Sequence, residues 1–383
     1  MDSDYEGCHE EACHESSGVS LRSPDGWTCG GFVPLKSNEY VLSDVHLLCE
    51  EDAAGDSDFV TSRFVFTVPS RPSFPSAWVV SCNLSPSPTV SEEGFGSAND
   101  VDDDGDCDIR RETPAREVIV IEHKRSTVLE DVGSQVWRGA LYLSDFILDR
   151  PEIFRGRVVL ELGVGVGLTL SVLQYAGCRC VFGTDYSEHI LEQCQLNVDR
   201  NSQLLPRCIA LPRKECPRSD VRIRILDWCS KETLPGYRTS RLFESTKFNL
   251  ENSKFRWSPE DLLLLQNDCV IVAADVIYSD SLTDAFFDTL LRLLGLVEVA
   301  QLTVYIALEK RINFTMAEMA ACAPSYQYFL RCLEKFSARS AGKDGPFLPA
   351  EMVATGADSG IKQYFQYERV PELEMWKLTV ERR

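Results

Sequence analysis

The sequence predicts an α/β chain organised around a doubly wound, mostly parallel sheet, and three observations carry that prediction. From residue 157 onward, strand-like and helix-like segments alternate. The first of these strands, Arg157–Leu162, runs directly into a turn with glycine at 163, 165 and 167 and then into a helical pattern. Aspartates close three later strands, at 185, 227 and 275. In a sheet of this kind the carboxyl ends of the strands share one edge, and ligands bind there.

The elements follow in order. Val118–Ile121, inside Glu117–Glu122, is an apolar β-branched run and reads as a strand, with Ser126–Leu129 as its hairpin partner. Val136, Ala140, Leu143 and Ile147 recur at helical spacing and predict an amphipathic helix over 135–148, closed by Pro151. Strand Arg157–Leu162 leads to helix Leu168–Ala176, strand Cys180–Thr184 to helix Glu188–Asn201. Strand Val221–Leu226 follows a proline-punctuated loop; then come strand Cys269–Ala274, helix Leu282–Leu294 and strand Leu302–Leu308. A helix over Met316–Phe336 precedes strand-like runs Lys362–Tyr367 and Met375–Val380, and the short gap at Pro371 makes the last strand antiparallel to its neighbour.

Charge divides the chain. Residues 1–110 hold 22 acidic side chains against 5 Lys or Arg, so most of the net charge of −20 sits in the first third. The expected organisation is an acidic N-terminal arm over 1–115, largely disordered with short strand-like pieces at 39–42 and 63–68, followed by a domain over 116–383. An acidic body argues against direct nucleic-acid binding, which needs clustered cations, and favours a basic protein partner. The start of the chain lacks the apolar stretch of a signal peptide, and no apolar run approaches the length of a membrane span. The expectation is an intracellular protein, nuclear or cytoplasmic, whose fifteen cysteines are free thiols. The triplets Cys8-His9-Glu10 and Cys13-His14-Glu15 look metal-like, but a closed zinc site shows two spaced ligand pairs, so no metal is expected.

The glycine turn is the first candidate site. Gly163, Gly165 and Gly167 allow positive φ and close backbone approach to a nucleotide-like ligand. A dinucleotide fingerprint would need glycine at 168, which is Leu168. Asp185 follows Gly163 by 22 residues, the spacing at which a carboxylate accepts ribose hydroxyls. Asp227 and Trp228 suit an adenine site, or equally a surface acid beside a core tryptophan. Asp275 and Tyr278 suit the positioning of an amine; the alternative is a helix-capping aspartate and a packed tyrosine. Enzymes that methylate nucleobases carry two prolines in this motif, where this chain has Val276 and Ile277. Trp137 is a pocket wall or a core residue, and Glu309-Lys310-Arg311 a substrate entrance or solvated charge. The segment 229–267 mixes cations with aromatics, including Phe255 and Trp257; it reads as a structured insertion rather than an RNA-stacking surface.

Taken together, ELGVGVG, TDY, LDW and ADVIY, preceded by EDVGSQVWRGALYLSDFIL, resemble the family 16 seven-strand methyltransferases, most of which modify protein lysines. The resemblance covers residues 117–383, and 41–47, inside the acidic arm, extends it. It implies a Rossmann-like class I methyltransferase fold with an antiparallel last strand, and S-adenosyl-L-methionine as cofactor. It implies that Glu161, Gly163, Gly165 and Gly167 surround the methionine moiety, Asp185 the ribose, and Asp227 with Trp228 the adenine, while Trp137 and Ala274 also contact the cofactor. Asp275 and Tyr278 would form the catalytic acceptor channel. The implied partner is a protein with an accessible lysine, basic in character and drawn from classes that include chaperones and nucleic-acid-associated proteins. The enzyme itself would be a monomer away from membranes. The rival readings are methylation of histidine, RNA or a small molecule, and a non-catalytic interaction protein on the same fold.

Overall fold

The computed structural model describes residues 40–43, 45, 50–52, 58–69, 115–204, 219–230, 253–267, 269–297, 301–315, 320–339, 350–356 and 360–381. The acidic run Asp100–Asp106, both Cys-His-Glu triplets and residues 231–252 lie outside them. Tyr40–Arg383 forms a compact unit. Its N-terminal part contains β1 (Tyr40–Leu42), β2 (Glu50–Asp52), β3 (Phe59–Thr67), β4 (Arg116–Lys124) and β5 (Ser126–Val128). The expected hairpin of β4 with β5 does not form. A single residue, Arg125, separates them, fewer than a tight hairpin turn needs. Instead β4 pairs antiparallel with β3 along its whole length, and β5 pairs with β1. Two strands from the expected arm are therefore paired with the domain.

Their sequences explain why. Phe64 and Phe66 fall on the inward face of β3, and both are buried in the core that also holds Ile119, Ile121, Leu141 and Tyr175. Burying side chains of this size contributes roughly 1.5–3 kcal/mol each. The other edge of β4 is covered by side chains of α3 (Glu188–Leu204): Asn201 bonds both the N–H and the carbonyl of Val120, and Asn197 does the same for Glu122. Two carboxamides thus satisfy backbone groups that would otherwise be buried unpaired.

Between β5 and the central sheet lie a 3-10 segment (Leu129–Ser134) and α1 (Arg138–Asp149). The sheet then takes β6 (Val158–Leu162), β7 (Cys180–Asp185), β8 (Asp220–Ile225), β9 (Cys269–Ala274) and β10 (Gln301–Glu309), with crossover helices α2 (Leu168–Ala176), α3, α4 (Pro259–Asn267) and α5 (Asp280–Leu296). After β10 come the hairpin β11 (Asn313–Thr315) and β12 (Ala320–Cys322), α6 (Pro324–Arg339), β13 (Ala350–Thr355) and β14 (Leu373–Glu381). The sheet order is β13-β14-β10-β9-β6-β7-β8. The five strands from β10 to β8 in that order are parallel, and β14 runs antiparallel to both neighbours. This is the expected doubly wound seven-strand fold with an antiparallel last strand.

Three expectations about the second half are corrected. The sixth strand is Ala350–Thr355, not Lys362–Tyr367; as an edge strand exposing Met352 and Val353 it lacks a buried-face pattern. Within 362–367 only Phe365 makes a strand bridge, to Phe66, and the two rings stack 5.0 Å apart. The last long helix begins at Pro324, whose missing N–H suits a first turn, rather than at Met316. Finally, the end of the supposed insertion is the crossover α4. Phe255 is buried, Trp257 donates Nε1–H to the Ile225 carbonyl (2.9 Å), and its ring stacks on Phe182 at 5.5 Å. Arg222 and Arg224 of β8 clamp the fully buried Asp261 of α4, each at 2.7 Å. Burial pushes that carboxyl up, but its hydrogen bonds to Arg224 and Arg222 outweigh burial and hold it at about 2. Phe255 and Trp257 serve packing, not base stacking.

Candidate active site

The parallel strands deliver their carboxyl ends to one edge, where a cavity of about 440 Å³ opens. Its wall takes Glu161 from β6, Asp185 from β7, Asp227 and Trp228 after β8, Ala274, Asp275 and Tyr278 from the end of β9, Trp137 from the start of α1, and Gly163 and Gly165 from the turn. The cavity therefore brings together every candidate cofactor and acceptor residue except Gly167, while Glu309, Lys310 and Arg311 do not line it. That glycine is the N-cap of α2 with φ +86°, and a Cβ there would stand 2.8 Å from the Cys194 sulfur. It allows α2 and α3 to approach each other and does not line the cavity.

The turn has little freedom. Gly163 (φ +75°) would place a Cβ 2.8 Å from Val276 and 3.7 Å from the Trp228 ring. Gly165 (φ +51°) would place one 2.9 Å from the Gly133 carbonyl oxygen. Asp185 fastens the turn: its Oδ2 accepts the Gly165 N–H (3.1 Å), and its Oδ1 accepts the Tyr186 N–H (2.8 Å). Burial raises its pKa to about 6 against these two donors. Glu161 is 2% exposed, and its buried Oε2 has no hydrogen-bond partner among the described residues. Burial pushes its carboxyl well above the usual range; a hydrogen bond from Thr169 opposes this, and the charge of Asp185 adds to it. A polar oxygen buried at this cost calls for a ligand. Two acids beside a glycine cradle suit a ligand with a cationic end and hydroxyls.

Asp227 accepts the Cys229 N–H at 2.9 Å, and Trp228 packs edge-on to Phe286 (5.3 Å), giving an acid and an apolar wall side by side. Trp137 is half-buried, donates Nε1–H to the Val132 carbonyl (2.9 Å), and carries the Arg311 guanidinium 4.3 Å over its ring. It is thus a wall of the cavity and not solely a core residue.

Asp275 and Tyr278 differ in what they leave open. Asp275 has φ +52°, and each carboxylate oxygen already accepts a backbone N–H: Oδ2 from Gly139 (2.6 Å) and Oδ1 from Glu309 (2.8 Å). It holds the first turn of α1 against the end of β10. Its contact also explains Gly139, where a Cβ would stand 2.6 Å from the carboxylate. Asp275 is therefore a positioning residue, with its main bonds spent on the frame. Tyr278 is half-buried and lines the cavity, and its phenol makes no hydrogen bond among the described residues. Burial, reinforced by the charge of Asp185, raises its pKa, so it stays a neutral donor.

Sequence reasoning missed Gly133, Gly139, Gln135 and Tyr186. Gln135 accepts the Ser43 N–H (2.7 Å) and donates to the Val41 carbonyl (3.0 Å) and the Thr127 hydroxyl (2.7 Å), which ties β1 to the approach of α1. Tyr186 donates its hydroxyl to the Glu130 carbonyl. The signal was present as the run Glu130–Gly139, but its partners lie far away in sequence.

Comparison with known proteins bears on this site directly. Residues 117–238 match the family model described as lysine methyltransferase. Over those residues the chain is similar to the lysine methyltransferase family. That agrees with the resemblance read from the motifs. The human methyltransferase-like protein 22 is 35% identical over 266 residues, 69% of this chain and 58% of that protein. The mouse protein of the same name is 34% identical over 73% of this chain and 64% of its own length. The chain thus spans about three fifths of the curated relatives it matches. The protein N-terminal and lysine N-methyltransferase EFM7 of Cryptococcus neoformans is 42% identical over 89 residues, 21% of this chain and 30% of that protein. Among solved structures, the methyltransferase domain of bacterial CtHen1 aligns with a TM-score of 0.34 at 14% identity, covering 63% of this chain and 97% of that one.

S-adenosyl-L-methionine, the cofactor of such domains, fits the residues present. The unpartnered oxygen of Glu161 and the glycine cradle suit its charged methionine end, Asp185 its ribose, and Asp227 with Trp228 its adenine. Binding has a pH signature. An Asp185 that accepts ribose hydroxyls would do so ionised, and its protonation at about 6 would compete with them. Affinity for S-adenosylhomocysteine is expected to be flat above pH 7 and to weaken about tenfold per unit well below pH 6. Calorimetric titration across pH 5–8 measures it, and in Asp185→Asn the dependence disappears.

Proposed function

We propose that this chain is an S-adenosylmethionine-dependent protein-lysine N-methyltransferase acting on a partner protein. The observation that carries the reading is the pairing, in one cavity, of the acid-and-glycine cofactor floor with an open phenol, Tyr278, beside the Trp137 wall. The family match and the relatives named as lysine methyltransferases support it. The acidic composition of the first third favours a basic acceptor protein, by electrostatic steering.

The bound cofactor supplies an electrophilic methyl on a sulfonium; the chain's residues do the rest. A free lysine has a pKa near 10.4, so a neutral amine near pH 7.4 costs roughly 4 kcal/mol. Desolvation of the amine in the cavity disfavours the ammonium and lowers that cost. The Tyr278 phenol orients the amine at the mouth. Asp275 fixes α1 against β10, and so fixes the distance between Trp137 and Tyr278. Alignment of donor and acceptor then supplies much of the acceleration. A dedicated base is unnecessary, because the departing proton can pass to water.

Two measurements test this. A cell extract lacking the protein, given labelled cofactor and the wild-type chain, should yield a labelled protein band that Asp185→Ala does not produce; label confined to RNA or small molecules would refute the reading. Tyr278→Phe keeps the ring and removes one hydrogen bond, so kcat should fall on the order of tenfold with S-adenosylhomocysteine affinity unchanged.

A further inference from the structure

Three cations stand where β10 ends beside the first turn of α1, and only one is unspent. Arg138 pairs with Glu309 (3.1 Å) and Glu368 (3.6 Å). Lys310 pairs with the buried Glu374 at 3.0 Å. Arg311 has no ion pair and no hydrogen bond among the described residues, in a chain with 59 carboxylates. It is nevertheless not loose: its guanidinium stacks 4.3 Å above the Trp137 ring. Stacking holds the planar fork in place while leaving its five N–H donors open, which is how arginine is pre-organised for a carboxylate. The residue does not line the cavity itself but stands against its Trp137 wall, and the next residue, Ile312, is exposed. Its charge also reaches Tyr278.

We infer that Arg311 is a specificity-determining residue that receives an acidic side chain lying close in space to the target lysine of the acceptor protein. The inference rests on the lysine-methyltransferase reading and adds to it a substrate class: an acceptor whose overall surface is basic but whose target lysine has an acidic neighbour. Long-range steering would follow from the acceptor's net charge, whereas registration at the mouth would follow from the Arg311–carboxylate pair. A planar bidentate partner on an aromatic support fixes orientation as well as proximity, so it sets which lysine enters.

The test uses the full chain and the acceptor protein identified by labelling, with acids near its methylated lysine changed to amides one at a time. One such change is expected to raise KM for the acceptor on the order of tenfold with kcat nearly constant, the loss expected for one charge-assisted pair. Arg311→Gln should raise KM equally, and the two changes together should cost no more than either alone. Arg311→Glu should regain activity on an acceptor whose acid has been replaced by lysine. Titration of each variant with S-adenosylhomocysteine should give the wild-type affinity. Unchanged KM in Arg311→Gln, or additive losses, would overturn the inference and leave the lysine reading intact. A loss of S-adenosylhomocysteine affinity would overturn it by assigning Arg311 to the cofactor's own carboxylate. A wild-type chain that binds S-adenosylhomocysteine yet methylates no protein would overturn both.

Discussion

Asp185→Ala is expected to weaken cofactor binding by two orders of magnitude or more while leaving the domain folded. The carboxylate is 8% exposed and accepts backbone N–H groups of Gly165, Tyr186 and Ser187, which leaves lone pairs for a ligand. Hydrogen bonds to a charged group are worth roughly 1.5–3 kcal/mol each, so losing those to both ribose hydroxyls gives at least about a hundredfold. The same substitution also frees the Gly165 N–H, so the turn that cradles the cofactor relaxes. Stability moves little, because two effects oppose each other. Burial raises this acid from the usual carboxylate range to about 6, so ionisation penalises the folded state increasingly between pH 4 and 6 and fully at neutral pH. Removing the carboxyl lifts that penalty while losing its backbone hydrogen bonds. Titration with S-adenosylhomocysteine, paired with thermal unfolding, separates the two readouts.

Asp145→Ala is expected to show the opposite profile, a stability loss of about 3–5 kcal/mol, the range for breaking a buried ion pair from one side. Asp145 is fully buried on α1, between the first strands and the C-terminal segment. It accepts the N–H groups of Tyr364 (2.7 Å) and Phe365 (2.9 Å), the Tyr367 hydroxyl (3.0 Å) and the Arg369 guanidinium (2.5 Å). Arg369 in turn bonds the Ile361 carbonyl at 2.6 Å and lies over the Tyr142 ring. Removing the carboxylate leaves that guanidinium buried beside an aromatic face with its counter-ion gone. The segment 361–369 also holds β3, through the Phe66–Phe365 stack and the Thr67 N–H to Tyr364 carbonyl bond (3.0 Å). A denaturant midpoint lowered by that amount, with S-adenosylhomocysteine affinity retained by the folded fraction, is the expected result.

What the sequence showed, and what it hid, follows from the range of the interactions involved. The alternation from Arg157 to Leu308 was legible because each strand and each helix declares itself by local periodicity, and the fold rules give one edge for all the strand ends. Asp185, Asp227 and Asp275 were legible for the same reason. The bonding of Asp275 was not: its two donors, Gly139 and Glu309, lie 136 and 34 residues away, and nothing local distinguishes a free strand-end carboxylate from one already spent. Asp145 was hidden more deeply, as a polar residue on an amphipathic helix whose partners are more than 200 residues away. The first third misled through its average charge. Phe59–Thr67 carries a strand pattern inside a segment whose mean composition reads as disordered, and the apolar pattern of nine residues outweighed it once β4 offered an edge. The sixth strand escaped because an exposed edge needs no buried face.

The central claim is that the cavity transfers a methyl group to a lysine amine, and the measurement closest to it is the chemical identity of the methylated residue. Protein labelled by the wild-type chain and a methyl-labelled cofactor is hydrolysed to amino acids, and the label is resolved by chromatography and mass spectrometry. The account predicts that the label elutes as Nζ-methylated lysine and is absent with Asp185→Ala. Label recovered as methylhistidine or methylarginine, or undiminished with Asp185→Ala, would contradict it.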